Sequence, residues 1–256
     1  VTARLGPKAA PCTSCKIGLR VPSVPEAEFD QFALDYQEQH AASIRMSGET
    51  PDFFARYKIE DVATTLMAAG RRPNRILDFG AGIGNSLGPM RAIFPDAEIV
   101  LLDPSAQSLD MAARRFPGQA QFTPFDGEAI PFAEGRFDVV FAACVFHHIP
   151  EQLQAGLLSE IARVLAPGGS LFLFEHNPLN PLTRHAVRNC PFDKDAVLIA
   201  ANEMRARIAS AGLPEARAVY RIFFPRPLAR LRPLERYLTR FPLGAQYFVH
   251  AVKSAA

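Results

Sequence analysis

The chain has 256 residues, and 28 Lys and Arg against 26 Asp and Glu leave a formal net charge of +2. Apolar side chains make up 48% and charged ones 21%, which suits a globular chain with a sizeable core and excludes collagen-like, wholly disordered and disulfide-stapled classes. The near-neutral balance points to no nucleic-acid partner, since such binders carry a strong basic excess or face.

Residues 1–25 hold four prolines and four basic residues with no acid before Glu26, and read as a flexible N-terminal arm. Cys12 and Cys15 within it form a C-x-x-C pair. A zinc knuckle would need two more ligands that no nearby Cys or His pair supplies, so an incidental pair is the favoured reading over a metal or redox site. No apolar leader precedes position 25, and the longest apolar run, Val139 to Phe146, is too short to span a bilayer, so a cytoplasmic location without a transmembrane segment is expected. Residues 26–47 have helical spacing in Phe29, Phe32, Ala33 and Tyr36, and a second helix is predicted from Pro51 to Ala69.

From residue 74 short apolar strands alternate with helices. Strands are predicted at Arg75–Phe79, Glu98–Leu102, Gln119–Pro124, Phe137–Ala142 and Ser170–Phe174. Helices follow Ser105 to about Arg115 and cover 150–166, stopped by Pro167-Gly168-Gly169. Such alternation implies β-α-β crossovers and a mostly parallel sheet. Further on, Asp193–Ala211 reads as a helix, and Ala216–Phe224 and Gln246–Lys253 as strands. Residues 227–240 read as a basic helix with Arg226, Arg230, Arg232, Arg236 and Arg240 outward and Leu228, Leu231 and Leu234 toward the core. An anionic lipid surface or a phosphate-bearing substrate is the alternative for that stretch, and peripheral membrane contact stays open.

The run Ile76-Leu77-Asp78-Phe79-Gly80-Ala81-Gly82-Ile83-Gly84 carries the chemistry. Glycines at the end of a first strand let backbone approach a ligand, and the next helix turns its N–H groups toward the same space. Asp103, ending the second strand, suits a ribose diol. Both features fall at the carboxyl ends of parallel strands, where open sheets bind ligands. The spacing is G-x-G-x-G rather than G-x-G-x-x-G, and Asp78 lies where a pyrophosphate would be repelled but an ammonium held.

With these residues the sequence resembles the class I S-adenosylmethionine-dependent methyltransferases of the small-molecule group called type 11. The likeness extends through Asp103, through Asp126-Gly127-Glu128-Ala129-Ile130-Pro131-Phe132, through Phe137-Asp138-Val139-Val140 with His147-His148, and through Arg163-Val164-Leu165-Ala166-Pro167-Gly168-Gly169. It implies a Rossmann-like seven-stranded, mostly parallel α/β sheet with an antiparallel C-terminal hairpin and helices on both faces. It also implies one domain over 26–256, comprising an N-terminal helical lid at 26–70, a cofactor core at 71–176 and substrate-side elements at 177–256. Asp78, Gly80, Ala81, Gly82 and Gly84 would hold the methionine part of S-adenosyl-L-methionine, and Asp103 with Pro104 the ribose. Asp126 and Gly127 would meet the adenine, and Ala142 and Ala143 would line the methyl end. Tyr57 or Arg56 would close over the carboxylate. His148, His147 and Glu175 are the candidate bases, with Asn177, His176, His40 and Arg45 as possible substrate contacts. No metal ligand set is assigned. The product would be S-adenosyl-L-homocysteine and the acceptor a small or lipid-like molecule; the oligomeric state is left open. Two alternatives remain at this point, a nicotinamide-dependent oxidoreductase and a non-catalytic S-adenosylmethionine-binding protein.

Overall fold

The computed structural model describes residues 48–190, 193 and 196–255. The arm, the helix expected at 26–47, Cys12, Cys15, His40 and Arg45 lie outside the described residues.

Helix α1 (Pro51–Ala68) begins with Thr50 as N-cap, its side chain accepting from Phe53 N at 3.3 Å, and with Pro51 in the first turn. Strand β1 (Arg75–Phe79), helix α2 (Leu87–Ile93), strand β2 (Glu98–Asp103), helix α3 (Ala106–Arg115) and strand β3 (Gln121–Pro124) follow. Next come β4 (Phe137–Ala143), a single 3-10 turn (Phe146–His148), α4 (Glu151–Val164) and β5 (Leu165–His176). The chain continues through α5 (Pro181–Arg188), α6 (Ala201–Ser210), β6 (Arg217–Arg221), a 3-10 stretch (Arg226–Leu234), α7 (Glu235–Leu238) and β7 (Gln246–Val252).

The seven strands form one sheet in the order β3-β2-β1-β4-β5-β7-β6, with β1 to β5 parallel and β7 antiparallel to both of its neighbours. Successive strand residues face opposite layers, so both must be apolar. Ile76, Leu101, Phe141 and Phe174 pack under Phe54, Ile59, Val62 and Leu66 of α1, with Leu87 and Leu109 of α2 and α3. Leu77, Leu102, Val140 and Leu173 pack on the other face against Leu157, Leu158 and Ile161 of α4 and Met204 and Ile208 of α6. The helix α1 is thus chiefly a covering helix of the sheet, and only its first two turns reach the carboxyl ends of the strands.

Four expectations change. The helix expected over 150–166 ends at Val164, and β5 runs from Leu165 through Pro167-Gly168-Gly169 rather than starting at Ser170, because Leu165 pairs with Phe137 of β4. The helix foreseen from Asp193 starts only at Ala201, because the preceding backbone bonds elsewhere: Val197 N donates to His147 O at 3.0 Å, and Ile199 O accepts from Tyr247 Oη at 2.8 Å. The strand foreseen to Phe224 ends at Arg221, because Ile222 turns left-handed with φ +62°. The basic stretch does not rest on core leucines. No residue of Arg226–Leu234 is buried, and Leu228, Leu231 and Leu234 are exposed, as are Tyr237, Phe241 and Leu243 nearby. Among the described residues no helix is long and apolar enough to cross a membrane.

Candidate functional site

The glycine turn leaves β1 beside the end of β2. Gly80 N and Ala81 N both donate to Leu102 O, at 2.8 and 3.1 Å, which bends the chain sharply. Gly80 has φ +71°, and a Cβ placed there would lie 2.5 Å from Val145 Cγ2, so only glycine fits. Gly82 N donates to Asp103 Oδ2 at 2.7 Å, while Asp103 Oδ1 accepts from Ser105 N at 2.9 Å. Asp103 therefore joins the two turns in addition to facing the cleft.

A cavity of about 410 Å³ opens at these strand ends. Asp78, Gly80, Ala81, Gly82, Asp103, Pro104, Gly127, Ala143, His147 and His148 line it, so most of the residues singled out from sequence are brought together. Gly84, Asp126, Ala142, Glu175 and Asn177 are not in its wall. A Cβ at Gly84 would touch Ala112 and Leu101, which marks close packing of turn and helix. Asp126 is exposed and caps its own turn, accepting from Glu128 N at 2.9 Å and Ala129 N at 3.0 Å, and these N–H groups hold its carboxyl below the usual range. Ala142 is buried behind Ala143, and Asn177 is buried with Nδ2 donating to Gly244 O at 2.7 Å. Arg56 is exposed and outside the wall; Tyr57 is buried and donates from its hydroxyl to Gln246 Oε1.

Besides Asp103 and Asp193, the wall holds the carboxyl of Asp78 and the amine of Lys58. Asp78 is 3% exposed, and its Oδ2 has no hydrogen-bond partner. Burial, with the Asp103 charge adding and Lys58 opposing, pushes its carboxyl up to about 8. Lys58, 7% exposed, points its Nζ to within 3.4 Å of Cys144 Sγ. Sequence reading gives Lys58 a place among the polar groups of the 26–70 lid but no role of its own, although its position four residues after Phe54 put it on the inward face of α1. Cys144, at the turn after β4, has φ +59°. Burial raises its thiol, but the Lys58 ammonium and His176 outweigh that and leave it lowered to about 7.

The histidine pair sits in the 3-10 turn after β4. His147 Nδ1 lies 2.5 Å from Glu175 Oε2, both side chains only 1% exposed, and Glu175 Oε1 accepts from Phe146 N at 2.8 Å. Burial opposes charge on His147, yet Glu175 and Asp193 hold its proton until about 10, while burial and His147 push His148 down to about 4. Asp193 Oδ1 is 3.4 Å from Nε2 of each imidazole.

Residues 76–169 match the family model described as a methyltransferase domain. Over 146 residues the chain is 38% identical to trans-aconitate 2-methyltransferase of Methylobacterium nodulans, covering 54% of this chain and 53% of that one. Over 115 residues it is 35% identical to demethylmenaquinone methyltransferase of Thermus thermophilus, covering 44% and 51%. The chain thus spans about half the length of these curated relatives. A Thermotoga maritima crystal structure titled as an S-adenosylmethionine-dependent methyltransferase superposes with TM-score 0.64 over 89% of this chain and 99% of its own, at 17% identity, which supports the fold. Strand order, glycine turn and these matches agree: residues 76–169 are similar to the methyltransferase-domain family, on a fold shared with an S-adenosylmethionine-dependent methyltransferase.

Proposed function

We propose that the protein transfers a methyl group from S-adenosylmethionine to a small or lipid-like acceptor. The observation that carries this is the unpartnered Asp78 carboxyl in the same cavity wall as the Lys58 ammonium, above a glycine turn with room for a ligand. A free amino acid carries an ammonium and a carboxylate, and these two buried groups complement that pair. The donor brings a methyl group made electrophilic by its sulfonium. Gly80 to Gly82 let the backbone approach it, Asp78 holds the ammonium, Lys58 the carboxylate and Asp103 the ribose. Gly127 and Phe125 stand where the adenine would lie, with Asp126 fixing their turn. The acceptor enters past Leu182, Phe223 and His148, which face the rest of the cavity. The chain's work is alignment and exclusion of water.

Among the candidate bases, Glu175 and His147 are committed to each other and to the Phe146 backbone, and Glu175 is out of the cavity wall. His148, with its side chain 21% exposed, is the imidazole that an incoming hydroxyl can meet. The division into arm, lid, core and substrate-side elements and a cytoplasmic location belong to this proposal. So does peripheral contact with anionic lipid through the exposed leucines and arginines of 226–243. Sedimentation with phosphatidylglycerol vesicles should be lost in Arg230→Glu/Arg236→Glu; equal sedimentation of both proteins removes that contact.

S-adenosylhomocysteine release on adding carboxylic, phenolic and quinol acceptors with S-adenosylmethionine tests the main reading. Binding of NAD with no stabilisation by either S-adenosyl compound would overturn it. Asp103→Ala should weaken cofactor binding at least tenfold, since it removes a charge-assisted contact of roughly 1.5–3 kcal/mol and loosens Gly82. Unchanged affinity by calorimetry would reduce Asp103 to a turn cap.

A further inference from the structure

The long spacing around Asp193 is the least explained feature of the cavity wall. A carboxylate paired to an imidazolium settles at about 2.7–2.9 Å. The His147–Glu175 pair is that short, yet Asp193 Oδ1 stands 3.4 Å from Nε2 of His147 and also 3.4 Å from Nε2 of His148. Two equal, long separations from one oxygen are poor hydrogen bonds. They do match the edges of a metal tetrahedron: bonds of about 2.0–2.1 Å to nitrogen and oxygen place ligand atoms about 3.3–3.4 Å apart. One ligand atom from each of His147, His148 and Asp193 can lie within 4.8 Å of the other two.

We propose that these three residues bind a divalent cation of the zinc type, with the fourth position turned into the cavity for an oxygen of the acceptor. Two imidazoles and one carboxylate with an open position are the ligand number and chemistry of a catalytic rather than a structural zinc site. Glu175 supplies the usual support, a carboxylate on the far nitrogen of a metal-bound histidine: its bond to Nδ1 fixes the His147 ring and leaves Nε2 as the outward atom. The backbone reinforces the geometry, since Val197 N donates to His147 O and holds Val197 on the same turn. All three ligands line the cavity, so an incoming hydroxyl or carboxylate reaches the open position without rearrangement. The acceptor class is therefore an oxygen compound able to coordinate metal. With a cation bound, the His148 lone pair is used, and the base role suggested above gives way to polarisation of the acceptor oxygen. The cation site itself is independent of the methyl-transfer reading; only its use rests on that reading.

The test is a zinc titration of the 256-residue protein stripped with chelator, in a Cys12→Ser/Cys15→Ser background that removes the other ligand pair. S-adenosylhomocysteine affinity is measured by calorimetry on the same samples. One equivalent of zinc should bind, and His148→Ala and Asp193→Asn should each weaken it at least 100-fold with S-adenosylhomocysteine binding and far-ultraviolet dichroism little changed. The cobalt form should show the intense visible bands of a tetrahedral site, lost in both variants. No zinc bound, or zinc bound equally by both variants, overturns the site and leaves Asp193 a hydrogen-bonding partner of the histidines. Zinc binding of the expected pattern without any S-adenosylhomocysteine binding would instead remove the methyl-transfer reading and keep the site.

Discussion

Asp78→Asn should abolish stabilisation by S-adenosylhomocysteine while raising the melting temperature of the ligand-free protein. Both changes come from one carboxyl. Its burial in the cavity wall, with the Asp103 charge adding, raises its pKa to about 8, so the folded state binds a proton there that the unfolded chain, near 3.8, releases. Between those values stability falls as pH rises, because the folded state holds more protons than the unfolded one. Asparagine has no such penalty, so its stability curve should be flatter over this window and higher at neutral pH by a few kcal/mol. The wild-type cofactor site needs the carboxylate. At pH 7 binding should release close to one proton, read as a dependence of calorimetric enthalpy on buffer ionisation. Affinity should rise with pH up to about 8 and level off above it. A variant that is no more stable than wild type and still binds S-adenosylhomocysteine would show that Asp78 neither stores that cost nor holds the ammonium.

Gly80→Ala should cost roughly 3 kcal/mol, combining a left-handed backbone at about 1–2 kcal/mol with overpacking of about 1–3 kcal/mol. For a chain of this size that is a fall of roughly 6–12 °C in melting temperature. The added methyl meets Val145 Cγ2 at 2.5 Å and Cγ1 at 2.7 Å, and a β-branched side chain has little freedom to move. Val145→Ala in the same chain should return the steric share and leave the backbone share, a coupling that a double-mutant cycle measures. Additive effects of the two substitutions would place the cost wholly in the backbone. Cofactor affinity should fall with Gly80→Ala alone, since the turn that bends toward Leu102 O is displaced.

The parallel core was legible because its signals are local. Short apolar runs mark β1, β2, β4 and β5, with glycine following the first and aspartate ending the second. The cavity wall at those ends followed from Asp78, Gly80, Gly82 and Asp103. Lys58, named only as one of several polar groups of the 26–70 segment, received no role of its own because one lysine on a helix resembles any other until the sheet buries it. Asp193 was hidden because it lies in a connection and meets the histidines only through folding. The basic stretch was misread from period: Leu228, Leu231 and Leu234 recur every three residues, with Pro227 and Pro233 among them, which is the repeat of a 3-10 helix with eclipsed side chains. A period of 3.6 would have been needed to carry those leucines onto the core. The strand that stopped at Arg221 gave no warning, since an isoleucine in a left-handed turn runs against its own preference.

The order of strands has a consequence for how the chain is made. Strand β7 lies between β5 and β6, so β6, though made earlier, cannot join the sheet until β7 arrives. During synthesis β1 to β5 can assemble as they leave the ribosome, while β5 waits with an open, apolar edge and β6 has nothing to pair with. Tyr57 of α1 bonds Gln246 at the head of β7, so a helix already packed on β1, β2, β4 and β5 gains that bond only when β7 is made. A nascent chain halted before Gln246 would expose one sheet edge and part of the inner face of α6 together, and the making of β7 converts an aggregation-prone intermediate into a closed sheet.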